Sequence, residues 1–121
     1  MIRHPGQSPL MPGTVSHGDL VITSGVVSPA VLAGDQQPVA AQLTAALDEL
    51  AATLSRAGCD LADVMKLEAY LADAADFAQW NAAFERAWPD PAVRPARTTL
   101  VVGFALPAVR VELQAIAAVP Q

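Results

Sequence analysis

Runs of apolar residues and their alternation with polar ones predict three strands in the first two thirds of the chain. Leu20 to Ser24 is apolar and β-branched almost throughout, which predicts a strand buried on both faces. Val64 to Leu71 alternates, with Met65 on the apolar side, and predicts a half-buried strand. Thr14 to Ser16 predicts a shorter strand. Met1 to Pro12 is rich in proline and glycine, so we expect an extended arm without regular structure.

Two segments have the apolar spacing of amphipathic helices. From Pro38 to the stop signal Gly58, leucines recur at intervals of three or four residues, at Leu43, Leu47, Leu50 and Leu54. A second helix, capped by Asp73 or Asp76, has an aromatic stripe that we expect to be core: Phe77, Trp80, Phe84 and Trp88. The segment from Val26 to Gln37 contains proline and glycine and is expected to be a loop.

The C-terminal part predicts two further strands joined by a tight connection. Arg94 to Gly103 and Val109 to Ile116 are both rich in β-branched residues. We expect them to form an antiparallel hairpin, which places Arg97 close to Glu112 or to the residue that follows it. A bulge at Gly103 is the alternative, and it shifts this register by one residue. Either register brings a guanidinium and a carboxylate together on one hairpin.

The order of the predicted elements, with two helices that each follow a strand, indicates a single α+β domain over residues 1–121. We expect two layers, with a mixed sheet of about five or six strands and both helices on one face. The uncovered face carries Lys66, Glu68 and Arg110 among apolar residues. Such a face is either solvated or covered by other subunits, and closure of several sheets into a central barrel fits the pattern.

Composition narrows the classes of function. Hydrophobic residues make up 53% of the chain and charged residues 16%, which favours a folded domain with some apolar surface in a subunit interface. The net charge of −5 argues against binding to a nucleic-acid backbone. Cys59 is the single cysteine, so we expect a small residue in a turn rather than a disulfide or a metal site. Without an apolar run of membrane-spanning length or an apolar signal core, we expect a cytoplasmic protein.

Several short sequence motifs, in order and at matching separations, resemble those of the RidA/YjgF family. They are Val21 to Gly25, Asp63 to Lys66, Ala75 to Phe77 with Asn81, Pro95 to Thr98, and Val111 to Ala117. The resemblance covers the chain from about Pro9 to Val119. It implies a homotrimer of chorismate-mutase-like subunits with clefts between them. It also implies hydrolysis of reactive enamine or imine acids, such as 2-aminoacrylate, to a 2-keto acid and ammonia, without a metal or organic cofactor.

The same resemblance assigns roles to individual residues. Arg97 matches the family arginine that binds the substrate carboxylate, a role suited to a planar guanidinium. Glu112 matches the glutamate that orients or activates the attacking water. Ser24 and Gly25 match the strand end whose backbone lines the pocket, and Asn81 matches a structural asparagine of the helix.

Four positions depart from the family pattern. Met11 stands where the family has a pocket tyrosine, and Thr99 replaces the cysteine that follows the arginine by two residues. Val26 replaces a glutamine, and Gln114 replaces the second glutamate of the last strand. Thr99 retains a hydroxyl, whereas Met11 makes the arm side of the pocket more apolar. Met11 and Thr99 are therefore the positions where we expect substrate specificity to be set.

Three alternatives compete with the deaminase hypothesis. Arg97 and Glu112 on a hairpin also fit an ordinary cross-strand salt bridge, worth ~0.2–1 kcal/mol. A drifted pocket predicts either a pathway enzyme for another imine or a metabolite-binding protein without turnover. Some family members carry an endoribonuclease label, but the acidic composition argues against that activity. His4 and His17 offer no catalytic pair, since we expect one on the arm and one in a turn.

Overall fold

The computed structural model describes residues 1–121 and contains one mixed six-stranded sheet with helices on one face. The strands are β1 (Ile2–Ser8), β2 (Met11–His17), β3 (Leu20–Thr23), β4 (Val64–Leu71), β5 (Ala96–Val101) and β6 (Val111–Ala118). The helices are α1 (Pro29–Leu32), α2 (Val39–Arg56) and α3 (Phe77–Ala87), with short 3-10 turns at Leu61–Asp63, Ala74–Asp76 and Pro91–Val93. The strand order is β1-β2-β3-β6-β4-β5, and only β4 and β5 run parallel. The predicted α+β class is confirmed.

The long helix α2 follows from its leucine spacing and its terminal glycine. The four leucines of the stripe are buried in one core cluster with the inner face of the sheet and with α3. Beyond the helix end, the Cys59 N–H donates to the Leu54 carbonyl at 3.0 Å, and the Gly58 N–H donates to the Ser55 carbonyl at 3.1 Å. Gly58 has a φ of 84°, the left-handed conformation that this type of helix ending requires. The predicted helix, stripe and stop are confirmed.

The predicted C-terminal hairpin is wrong, because β5 and β6 are not neighbours. Strand β6 lies between β3 and β4, and β5 forms the sheet edge beyond β4. The β4–α3–β5 segment is a crossover unit, which makes β5 parallel to β4 and leaves Val102 to Arg110 as a connection across the sheet end. Burial explains why β6 is a central strand and β5 an edge strand. Every inward residue of β6 is buried, whereas β5 is exposed or half-exposed along its length.

The N-terminal arm is also a correction. Residues 2–8 form β1, which pairs antiparallel with β2, for example Ile2 with Ser16 and His4 with Thr14. The register shifts around Pro5, where the ladder is irregular. Proline is tolerated in a strand at a sheet edge or a bulge, and β1 is an edge strand. The proline content therefore led to the wrong prediction for a segment that forms an edge strand.

Four side chains predicted to be buried face outward. Leu20 and Ile22 are about half exposed, so β3 has one buried face rather than two. Met65 is exposed because a register shift between Val64 and Lys66 inserts it as a bulge. Phe77 begins α3 and is 46% exposed, although the rest of the aromatic stripe is buried. The predicted loop from Val26 to Gln37 also contains the short helix α1.

Candidate functional site

Arg97 lies in the groove between the edge strand β5 and helix α3. Its Nη2 donates to Asn81 Oδ1 at 2.6 Å, and its Cζ lies 4.6 Å from the centroid of the Phe84 ring. Nη1 is buried and has no acceptor. The one ion pair in the chain joins Arg110 to Asp76 at 2.9 Å, so no carboxylate compensates Arg97. A partly desolvated guanidinium on an aromatic face, with a neutral amide as partner, is well suited to bind an anion.

Thr99 lies two residues further along β5 on the same face as Arg97. Its Oγ1 accepts a hydrogen bond from Trp80 Nε1 at 3.1 Å. Trp80 was predicted as core, and it is fully buried, but its indole N–H also reaches this site. We call a set of neighbouring side chains from β5 and α3 the arginine half-site: Arg97, Thr99, Trp80, Asn81 and Phe84.

Glu112 lies on β6 beside the end of β3. Val26 and Leu113 exchange two backbone hydrogen bonds of 2.7 and 3.0 Å, which hold Gly25 against Glu112. A Cβ atom built on Gly25 lies only 2.5 Å from Glu112 Oε2, so a larger residue here would displace the Glu112 carboxyl group from its observed position. Burial raises the pKa of the half-buried Glu112 carboxyl, and neither an ion pair nor a hydrogen bond offsets it.

Ser24 and Met11 complete the predicted set. The Ser24 hydroxyl donates to the Pro12 carbonyl at 2.7 Å, and its N–H donates to the Gly13 carbonyl at 2.9 Å. Met11 precedes Pro12 at the start of β2 and is 41% exposed. We call Glu112, Gly25 and Ser24 the glutamate half-site, because Gly25 lies against the Glu112 carboxyl group and Ser24 precedes Gly25 in the chain.

The two half-sites lie on opposite faces of the sheet. Arg97 is opposite Leu67 in the ladder, and Leu67 points into the core beneath the helices. Glu112 is opposite Tyr70, three residues along β4, and therefore points to the face without helices. The predicted proximity of Arg97 and Glu112 within one chain is wrong, and so is a salt bridge between them.

Sequence reasoning missed a polar network on the face without helices. The Tyr70 hydroxyl donates to Glu68 Oε2 at 2.5 Å, and Gln114 Nε2 donates to the same oxygen at 2.6 Å. These hydrogen bonds lower the pKa of Glu68, and the bond to Glu68 raises the pKa of Tyr70. Alternation along β4 placed Glu68 and Tyr70 on one side, but only the β4–β6 register reveals Gln114 opposite Glu68.

Other kinds of site have no counterpart in the fold. No group of three or more histidine, cysteine or acidic side chains is close enough to hold a metal ion. None of the helices combines the length and apolar character needed to cross a membrane. His4 and His17 lie in β1 and at the end of β2 rather than on an arm and in a turn. The two histidines face different ladder partners, Thr14 and Leu20.

The chain matches a known protein family and individual members of it in sequence. A family model described as Endoribonuclease L-PSP matches residues 5–119. The chain is 33% identical over 105 residues to an Escherichia coli K12 protein named 2-iminobutanoate/2-iminopropanoate deaminase, covering 85% of this chain and 82% of that protein.

Solved structures agree with the sequence match. The crystal structure of the E. coli YjgF gene product has a TM-score of 0.77 at 32% identity, over 88% of this chain and 86% of that chain. NMB1025 of Neisseria meningitidis, a YjgF family member, has a TM-score of 0.86 at 26% identity, over 99% of this chain and 95% of that chain. Because the family model spans nearly all of the sequence and the fold agrees, the chain belongs to the RidA/YjgF family.

Proposed function

We propose that the protein hydrolyses reactive 2-imino and enamine acids of the 2-aminoacrylate type to 2-oxo acids and ammonia. The observation that carries the proposal is the Arg97 guanidinium, which is held by Asn81 and Phe84 without any carboxylate of its own. A small carboxylate ligand supplies the missing countercharge through charge-assisted hydrogen bonds. The 33% identity to a protein named as an imine deaminase supports the same reaction class.

Glu112 is the proposed base for the addition of water. Its raised pKa makes the ionised carboxylate a better proton acceptor than an exposed glutamate. Water adds to the imine carbon while Glu112 takes one of its protons, giving a tetrahedral carbinolamine. That proton passes to the nitrogen, so that the carbinolamine carries one hydroxyl and one amino group. Glu112 then moves the hydroxyl proton to the amino group, the C–N bond breaks as the carbonyl forms, and ammonia and the 2-oxo acid are released. An enamine acid first tautomerises to the imine, as its β-carbon gains the proton that its nitrogen loses. Arg97 keeps the substrate carboxylate fixed through these steps.

The active unit we propose is a homotrimer with sites between subunits. Arg97 and Glu112 face opposite sides of their own sheet, so a common site needs the arginine half-site of one subunit and the glutamate half-site of the next. The helix-free face also carries an apolar surface that favours burial against other sheets in a barrel. Its side chains are 40% to 51% exposed: Leu20, Ile22, Leu100 and Ile116.

A trapping assay tests the activity. A threonine dehydratase supplied with threonine or serine releases the imine, which semicarbazide captures. The protein should reduce capture, Arg97→Ala should abolish that effect, and Arg56→Ala serves as control because Arg56 is exposed at the end of α2. Unchanged capture with imines from several amino acids would sink the deaminase proposal.

A metabolite-binding protein without turnover is the second candidate. Met11 and Val26 favour it, because they replace a tyrosine and a glutamine that the resemblance leads us to expect at these positions. Calorimetry separates the two candidates. Binding of a 2-oxo acid that depends on Arg97, without any effect on imine capture, would support the second candidate.

A further inference from the structure

We propose that Trp80 is a positioning residue that fixes the Thr99 hydroxyl as a second donor for the ligand carboxylate bound at Arg97. The proposal rests on the proposed function in one respect: it takes the ligand of the arginine half-site to be a carboxylate. It adds a residue of α3 to the binding machinery and assigns the direction of the Thr99 hydrogen bond.

The direction follows from the chemistry of the indole. Trp80 is 0% exposed, so its N–H needs a protein acceptor, and Thr99 Oγ1 at 3.1 Å is that acceptor. An indole N–H can only donate, so the Thr99 oxygen must accept. The hydroxyl hydrogen is then free to turn about the Cβ–Oγ bond, and it donates to no protein atom.

The neighbouring Arg97 guanidinium, like the free Thr99 hydroxyl hydrogen, is a hydrogen-bond donor. Arg97 has only donors, and its Nη1 has no acceptor within the subunit. Arg97 and Thr99 lie on one face of β5, separated by about 7 Å of strand rise. The site therefore contains two donors without an acceptor in the subunit, the Nη1 group of Arg97 and the Thr99 hydroxyl. A carboxylate, whose oxygens only accept, matches this arrangement, whereas an amide of the same shape brings donors of its own.

One aromatic assembly supports both donors. The Trp80 and Phe84 rings pack edge to face, with centroids 5.8 Å apart, and Phe84 lies beneath the Arg97 guanidinium. Trp80 therefore positions Thr99 directly through its N–H. It also packs against Phe84, which contacts the Arg97 guanidinium. The 3.1 Å bond to Thr99 is the one side-chain hydrogen bond of Trp80, so its effect on the ligand passes through Thr99.

Affinity for 2-oxobutanoate, measured by calorimetry, tests the proposal. Trp80→Phe and Thr99→Val should each weaken binding by about three- to tenfold, since each disturbs one hydrogen bond to the ligand. Thr99→Ser should bind like the wild type because it keeps the hydroxyl. The double variant should bind no more weakly than Thr99→Val, because Trp80 acts through Thr99.

Trp88→Phe is the matched control. Trp88 is also a buried indole on the same aromatic stripe, but its N–H donates to the Leu61 carbonyl at 2.7 Å. The control should lose stability without losing affinity for the ligand. In the wild type, the ¹⁵N-indole signal of Trp80 should shift during titration, while that of Trp88 stays in place. The titration needs no Trp80 variant, so it remains decisive if Trp80→Phe does not fold.

Several outcomes would overturn the proposal. They are wild-type affinity in Thr99→Val, additive losses in the double variant, equal weakening by Trp88→Phe, or an unmoved Trp80 signal. Failure of the proposed function looks different, because then the wild type does not bind 2-oxobutanoate, or Arg97→Ala binds it equally well. Either of those results also removes the basis for the role of Trp80.

Discussion

Two residues of opposite charge, Arg97 and Glu112, are left uncompensated by the fold. The cation has a neutral partner in Asn81, and the anion is desolvated beside Gly25. Burying charge without a countercharge costs stability, so such groups indicate a functional site. Sequence reasoning identified both residues by resemblance. It could not place them, because their relative position depends on strand order rather than on spacing along the chain.

The environment of Glu112 predicts a pH-dependent gain in stability for Glu112→Gln. Because the folded pKa is raised above the unfolded value, ionisation disfavours the folded state as pH rises through the folded pKa. Glu112→Gln should therefore raise the melting temperature at pH 7. The gain should disappear at a pH below the unfolded pKa, where the wild-type carboxyl is protonated. Thermal melts at several pH values provide the measurement.

Glu68→Gln is the control with the opposite sign. Hydrogen bonds from Tyr70 and Gln114 lower the pKa of Glu68, so its ionised form contributes stability above the unfolded pKa and loses it as pH falls through the folded pKa. Glu68→Gln should lower the melting temperature at pH 7. A gain at pH 7 for both variants, or for neither, would contradict the assigned environments.

At the scale of elements, local patterns succeeded where local chemistry decides the structure. The α2 stripe and the Gly58 ending follow from residues within one helix. The C-terminal hairpin failed because strand pairing is non-local. The β4–α3–β5 crossover fixes β5 as parallel to β4, and the fully apolar inner face of β6 then fills the central position. β5 and β6 are therefore consecutive in sequence but separated by β4 in the sheet.

The helix ending predicts different effects for two glycines. Gly58 has a φ of 84°, so Gly58→Ala should lower the free energy of unfolding by about 1 kcal/mol without changing activity. Gly103 has no positive φ, and a Cβ built on it meets no neighbour within 4 Å, so Gly103→Ala should leave stability nearly unchanged. Urea denaturation measures both. Equal stability of the two variants would contradict the assigned role of the left-handed glycine.

At the scale of the molecule, the sheet presents one covered face and one open face. The helices bury the inner face, and the open face combines exposed apolar side chains with the Glu68 network. Composition and alternation predicted an uncovered face, and the resemblance supplied the trimer as its cover. The placement of the two half-sites on opposite faces is the structural reason for proposing a site shared by two subunits.

Complementation between inactive variants is the sharpest test of a site shared between two subunits. Arg97→Ala and Glu112→Gln should each be inactive in the imine-trapping assay, because each removes one half of every site. Subunits of the two variants, denatured together in equal amounts and refolded, should regain activity. In a cyclic trimer with random assembly, about a quarter of the sites combine an intact Arg97 with an intact Glu112 from the neighbouring subunit. Mixed trimers of the correct mass that remain as inactive as the separate variants would contradict the shared site.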